Sequence, residues 1–224
     1  MRCIEYADKL KREGWKVLTL EGNILKLHKN GQIKEINLLF DTSTKFVGSG
    51  TDRDPHWTNP SYITADDDSP ATNSITHLNF SPQLIGYNCG FSITSGSTID
   101  GITVVVERKA DTADRLSFGV GYEVDGYAVL GFWDGANLTQ KGTAKTDNTK
   151  WNVTYATTTF GSSSDLWGTT WTTTDINDST LGIELVVTNT DVLNSVLASI
   201  DYVQFTITYT LASPSTIIPQ IIFI

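Results

Sequence analysis

Cysteine is scarce, with only Cys3 and Cys89 in 224 residues, and the two fall in what read as different modules. Thiols so placed make no disulfide framework and point to synthesis in a reducing compartment. Long apolar runs are missing too. No stretch reaches the roughly eighteen apolar residues of a membrane-crossing helix, so no membrane contact is expected. The opening Met1-Arg2-Cys3-Ile4-Glu5 has no apolar run, so no secretory leader is expected either. Positive charge is thin: 16 Lys/Arg against 25 Asp/Glu give a formal net charge of −9. Met1 to Phe40 holds eight Lys/Arg against five Asp/Glu (+3), which leaves eight against twenty (−12) for the remainder. Phosphate binding needs clustered cations, so this acidic body argues against nucleic acid as a partner. The small positive excess at the start reads as an ordinary solvated surface.

Catalytic signatures are missing as well. His28, His56 and His77 are far apart in sequence, and none falls in a nucleophile pattern. There is no G-x-S-x-G, H-E-x-x-H, phosphate loop or paired-cysteine motif. No set of residues offers both a nucleophile and an activating base, so no enzyme and no cofactor are expected. Asp66-Asp67-Asp68 could supply oxygens to Ca²⁺, but the spacing matches no alternating calcium loop. With Ser69-Pro70 it reads first as a solvated acidic turn, and no metal is expected.

What the chain does contain is β chemistry. It is 39% apolar with 18 Gly, and Thr, Ser, Ile and Val are abundant, a composition suited to strands. Period-two alternation puts Leu181, Ile183, Leu185 and Val187 on one face, and Val203, Phe205, Ile207 and Tyr209 on another, with Glu184, Gln204, Thr206 and Thr208 turned away. Before the first of these runs, Thr172 can accept the backbone N–H of Asp175 while that carboxylate favours the start of a helical turn, so a capped single turn is expected. Further strands are expected at Ile99 to Arg108, Leu116 to Val120, Ala128 to Trp133 and Lys150 to Thr157. Many short strands between turn signals indicate a mainly β fold, an antiparallel β-sandwich of jelly-roll or immunoglobulin-like type. Ahead of it, a helix over Ile4 to Glu13 and strands at Lys16 to Leu20, Ile24 to His28 and Gln32 to Leu39 make a small N-terminal α+β module. Its Asn30-Gly31 is a hairpin signal, because a tight turn needs positive φ. The expected domains are therefore 1–40 (anchor module), 41–56 (linker or arm), 57–211 (sandwich) and 212–224 (apolar tail).

Several ordered motifs carry a family resemblance. His56-Trp57-Thr58-Asn59-Pro60, Asn88-Cys89-Gly90-Phe91-Ser92-Ile93, Thr98-Ile99-Asp100-Gly101-Ile102, the run from Phe160 to Asn177 and the closing Ala198 to Thr210 occur in one order. Together they resemble a β-sandwich module that recurs in structural proteins of tailed bacteriophages and prophages, over Trp57 to Thr210. Cys89 stands where an aromatic residue is expected. The resemblance implies a non-enzymatic virion component, assembled in the host bacterial cytoplasm, that acts through contacts with capsid or tail proteins and with itself. A capsid decoration role is expected before a fibre, since the chain is short and has no heptads or repeats.

Two stretches are candidate contact sites. The tail residues Ile217, Ile218, Ile221, Ile222, Phe223 and Ile224 would waste about 1.5–3 kcal/mol each if left in water. They are expected either to add a strand to their own sandwich or to join a neighbouring subunit's sheet edge, with Pro219 restricting any strand to an edge. Trp167 and Trp171, beside Asp165, could instead form a platform for a host glycan, the adhesin alternative. The commoner use of indole is buried area, so packing is the first reading.

Overall fold

The computed structural model describes residues 14, 16–21, 24–30, 32–37, 40–121 and 124–211. The helix expected over Ile4 to Glu13 and the tail from Ile217 to Ile224 lie outside these residues. Three antiparallel strands, β1 (Lys16–Glu21), β2 (Ile24–Lys29) and β3 (Gln32–Asn37), form a meander of their own. Asn30 between the last two has φ +49°, the left-handed value that the Asn-Gly signal calls for.

The remaining strands build two antiparallel sheets on one core. One sheet has the order β11-β10-β13-β7-β5, made of β5 (Ser49–Asp52), β7 (Leu84–Tyr87), β10 (Tyr127–Trp133), β11 (Leu138–Gln140) and β13 (Leu181–Val186). The other runs β12-β8-β15-β4, from β4 (Phe40–Phe46), β8 (Thr98–Ala110), β12 (Ala156–Gly161) and β15 (Val196–Thr210). β6 (Ala71–Ile75) also pairs β15, and the short strands β9 (Leu116–Ser117) and β14 (Thr188–Asn189) pair each other.

Alternation decides which side chains meet between the sheets. Leu181, Ile183 and Leu185 of one sheet, and Ile102, Val104, Val106, Val203, Phe205 and Ile207 of the other, share a single buried cluster. Each such side chain removed from water contributes about 1.5–3 kcal/mol. The fold is the expected antiparallel β-sandwich. β15 is its spine: β8 pairs it along its length, while β6 takes Val196 to Ile200 and β4 takes Gln204 to Thr210 on the opposite edge.

The boundaries depart from expectation in four places. Residues 41–56 are not an arm, because β4 and β5 lie there and pair β15 and β7. Thr42, Thr44 and Lys45 are exposed on an edge strand, so no apolar alternation marks it. The strand expected over Lys150 to Thr157 begins only at Ala156, although Trp151 is fully buried as a loop residue. The strand expected over Leu116 to Val120 stops at Ser117, and Val120 is exposed. β6, β7 and β11, finally, were not expected at all.

Candidate functional site

The two tryptophans singled out by the sequence close one end of the sandwich. Trp167 is fully buried with φ +56°, a strained value for a bulky side chain. Several contacts hold it there. Its indole N–H donates to the Ile102 carbonyl at 3.0 Å, its amide donates to Asp165 Oδ1 at 2.7 Å, and its carbonyl accepts from the Thr143 amide at 2.7 Å. Gly161, at φ +74°, passes so close that a Cβ there would lie 2.2 Å from the Ile102 carbonyl oxygen and 2.8 Å from the indole nitrogen. Trp171 is buried, and its N–H donates to the Leu166 carbonyl at 3.0 Å.

Each indole also carries a lysine. Lys145 Nζ lies 5.0 Å from the Trp167 ring centre and 2.6 Å from Asp165, and Lys141 Nζ lies 4.9 Å from Trp171 and 2.8 Å from Asp175. Burial works against the charge of Asp165, but the Lys145 and Trp167 contacts outweigh it and hold the carboxyl below its ordinary range. Asp175 is likewise lowered against burial, by Lys141 and Thr172. The cap is present in full: Asp175 N–H donates to Thr172 Oγ1 at 3.1 Å, and Thr172 N–H donates back to Asp175 Oδ2 at 2.7 Å, at the start of the short helix Thr173–Asn177. Asn177 clasps Ile93, accepting from its amide at 2.7 Å and donating to its carbonyl at 2.8 Å. With both indoles buried, Trp167, Trp171 and Asp165 present no flat platform to a sugar. They pack, as the first reading of indole holds.

The opposite end is built differently. Ala110 ends β8 and lies eight residues beyond Ile102, which is about 26 Å along a strand. At the Ala110 end three loops meet on β14. Thr188 bridges Phe80, and its hydroxyl donates to the carbonyls of Ser117 and Gly119. The Leu78 amide donates to the Asp191 carbonyl at 3.0 Å. Asp191 then braces a turn by accepting from the amides of Leu193 and Asn194, both at 2.8 Å, and it pairs with Arg115 at 3.0 Å. The two amides are the main reason its carboxyl is held below the ordinary value. The braced turn points aliphatic side chains at water: Leu193 is 79% exposed, Val192 64% and, on the neighbouring loop, Val120 62%. The sequence marks none of the three as exposed, since Val192 and Leu193 belong to no periodic run and Val120 falls at the end of the strand expected from Leu116.

A third feature lies on the outer face of the β10–β13 sheet. A cleft of about 300 Å³ is lined by Tyr127, Val129, Leu138, Gln140, Ala144 and Glu184. The Tyr127 hydroxyl donates to Glu184 Oε1 at 2.5 Å, and burial, followed by that carboxylate, raises the phenol's pKa. Val129 and Glu184 are neighbours across the sheet. Elsewhere Asp66, Glu107 and Asp201 bring three carboxylates together. Only Asp66 of the three lies in the Asp66-Asp67-Asp68 run visible in the sequence, because Glu107 and Asp201 are distant in the chain and join only through strand register. His56 is taken up locally, its amide donating to Asp52 Oδ2 at 2.7 Å.

No protein-family model matches this chain, and no curated protein sequence does. Among solved structures, it is similar to one described as "CBM4 structure and function", at 12% identity and a TM-score of 0.35, over 72% of this chain and 92% of that one. A family two carbohydrate esterase from Cellvibrio japonicus matches at 12% identity and a TM-score of 0.28, over 79% and 36%. A putative glycoside hydrolase from Bacteroides vulgatus ATCC 8482 matches at 10% and 0.33, over 84% and 94%.

Proposed function

We propose that this chain is a non-enzymatic structural component of a tailed-bacteriophage virion, a capsid decoration protein that contacts capsid subunits and exposes its sandwich. The observation that carries the reading is the braced aliphatic end. A loop held by Asp191, Arg115 and Asn189 spends hydrogen bonds on keeping Val192 and Leu193 in water, which is how a rigid contact surface is made ready for a partner. The ordered motifs from Trp57 to Thr210 support the same reading, and so does the apolar sequence from Ile217 to Ile224. Assembly in the host bacterial cytoplasm follows from it.

The test is immunogold electron microscopy of purified particles from the source host, with antibody raised against this chain. Label at regular positions on the capsid is expected, and it should disappear when Val192→Asp and Leu193→Asp are combined or when Ile217 to Ile224 are deleted. Particles that never carry label would overturn the proposal, and label confined to the tail would move the protein there.

The second reading, an adhesin module for host carbohydrate, is favoured by the Tyr127–Glu184 cleft, which combines an apolar floor with fixed polar groups as small-ligand sites do. Calorimetric titration with host surface polysaccharide tests it. Saturable heat that Tyr127→Phe removes would favour the adhesin over decoration, and a flat titration would sink it.

A further inference from the structure

The sheet containing β8 and β15 is interrupted at one point. Ile200 pairs Arg108 and Val203 pairs Val106, so Asp201 and Tyr202 together oppose the single residue Glu107. Two residues against one is a β-bulge, a device that re-aims side chains. Ile200 and Val203 are both fully buried in the core, although strict alternation puts residues three apart on opposite faces. The extra residue absorbs that mismatch and brings the Asp201 carboxylate to Glu107. Asp66 arrives from the loop after the 3-10 turn Pro60–Ile63. Thr64 bridges Tyr202 there, and the Asp67 amide donates to Asp201 Oδ2 at 3.3 Å.

One carboxylate oxygen from each of Asp66, Glu107 and Asp201 lies within 4.8 Å of the other two. A second observation points to a ligand. Asp201 is fully buried, and its Oδ1 has no hydrogen-bond partner, a state that is costly for a carboxylate away from water. We propose that Asp66, Glu107 and Asp201 form a site for a calcium-sized hard divalent cation, which fastens the loop from Asp66 to Asp68 onto the bulge of β15.

The geometry suits that ion. Calcium takes oxygen ligands at about 2.3–2.6 Å, so two oxygens on one ion lie no more than about 4.6–5.2 Å apart. The triad supplies the charge, and backbone carbonyls and water complete the six to eight oxygens such an ion takes. Magnesium, which requires a tighter octahedron and gives up water reluctantly, fits less well. Asp66 is exposed, Glu107 half-buried and Asp201 buried, so an ion has an entrance and a floor. Without a cation the group works against itself. Burial, then Asp66 and Asp201, raise the Glu107 carboxyl, while burial raises Asp201 against the opposing amides of Asp68 and Asp67. Tyr155 and Tyr202 lie in the same field: burial first, then Asp201, Asp68 and Glu107, push the Tyr155 phenol up to about 12, and burial followed by Glu107, Asp66 and Asp201 raises that of Tyr202. A proton shared by Glu107 and Asp201 is the competing way to relieve the crowding.

The experiment uses the full chain, stripped with chelator and then titrated at neutral pH with Ca²⁺, Mg²⁺ and Tb³⁺. At Ca²⁺ about ten times its Kd, Tm should rise by about 3–6 °C, with a smaller rise for Mg²⁺. Terbium emission excited through tyrosine should saturate and be displaced by Ca²⁺. Asp201→Asn and Glu107→Gln should remove both responses, whereas Asp134→Asn, in an exposed turn on another loop, should keep them. Should the Asp201 variant fail to fold, the exposed Asp66→Asn provides the same test. Identical melting with chelator and with Ca²⁺, as a shared proton requires, would overturn the site. So would a larger shift with Mg²⁺, or an undiminished response in Asp66→Asn.

Discussion

The two ends of the sandwich solve the same problem in opposite ways. A β-sandwich leaves its core open where strands stop, and something has to cover it. At the Ile102 end the chain folds two indoles inward, bonds both N–H groups to carbonyls and places a lysine over each ring. At the Ala110 end, Thr188, Asn189 and Asp191 supply the hydrogen bonds, and the aliphatic side chains of Val192 and Leu193 are turned outward. The first end is finished within one molecule. The second has the polar side chains of its Asp191 turn bonded and the aliphatic ones of Val192 and Leu193 unsheltered, which is the reverse of a solvated loop.

The largest expected effect breaks the closed end. Trp167→Ala should cost about 3–5 kcal/mol of stability, by loss of buried area and the cavity left behind, read from guanidinium unfolding. A loss below about 1 kcal/mol would mean that the end does not depend on the indole. Next comes acid. Asp165 and Asp175 are held below the ordinary value of 3.8, so each contributes stability that is fully present above 3.8 and is lost as pH falls through its folded value. Tm should therefore drop steeply below pH 4, and Asp165→Asn should flatten part of that drop. An unchanged acid limb in the variant would remove Asp165 from the account.

Thr172→Ala, which removes one half of the cap, should cost about 1 kcal/mol and lower Tm by a few degrees, measurable by calorimetry. The smallest effect belongs to the open end: combining Val192→Asp with Leu193→Asp should change stability by no more than about 0.5 kcal/mol. A large loss there would show those side chains to be structural, and the contrast between the ends would collapse.

How much of this could be read from the residues differed by element. β13 and the later half of β15 declare themselves, because one face must be dry and period two survives in the letters. The Thr172–Asp175 cap is local and was equally legible. Edge strands were not. β4 reads Phe-Asp-Thr-Ser-Thr-Lys-Phe, and a strand with neighbours on one side only can be polar nearly throughout. The burial of Trp167 was open to either reading, since neither its positive φ nor its bond to Ile102, 65 residues away, leaves a trace in composition. The carboxylate triad was invisible for a related reason. Glu107 looks like an outward residue of an ordinary strand, and a bulge at Asp201 appears only once Ile200 and Val203 are known to share a face.

The spine strand also has a consequence for how the protein is made. β15 is the common partner of β4, β6 and β8, and Tyr209 bonds Asp41 across 168 positions of chain. During translation those three strands therefore leave the ribosome with their backbone groups open, and the sheet cannot be completed until the residues near 210 have emerged. Pairing over such separations is slow, and the waiting edges are where a nascent chain meets chaperones or its own copies.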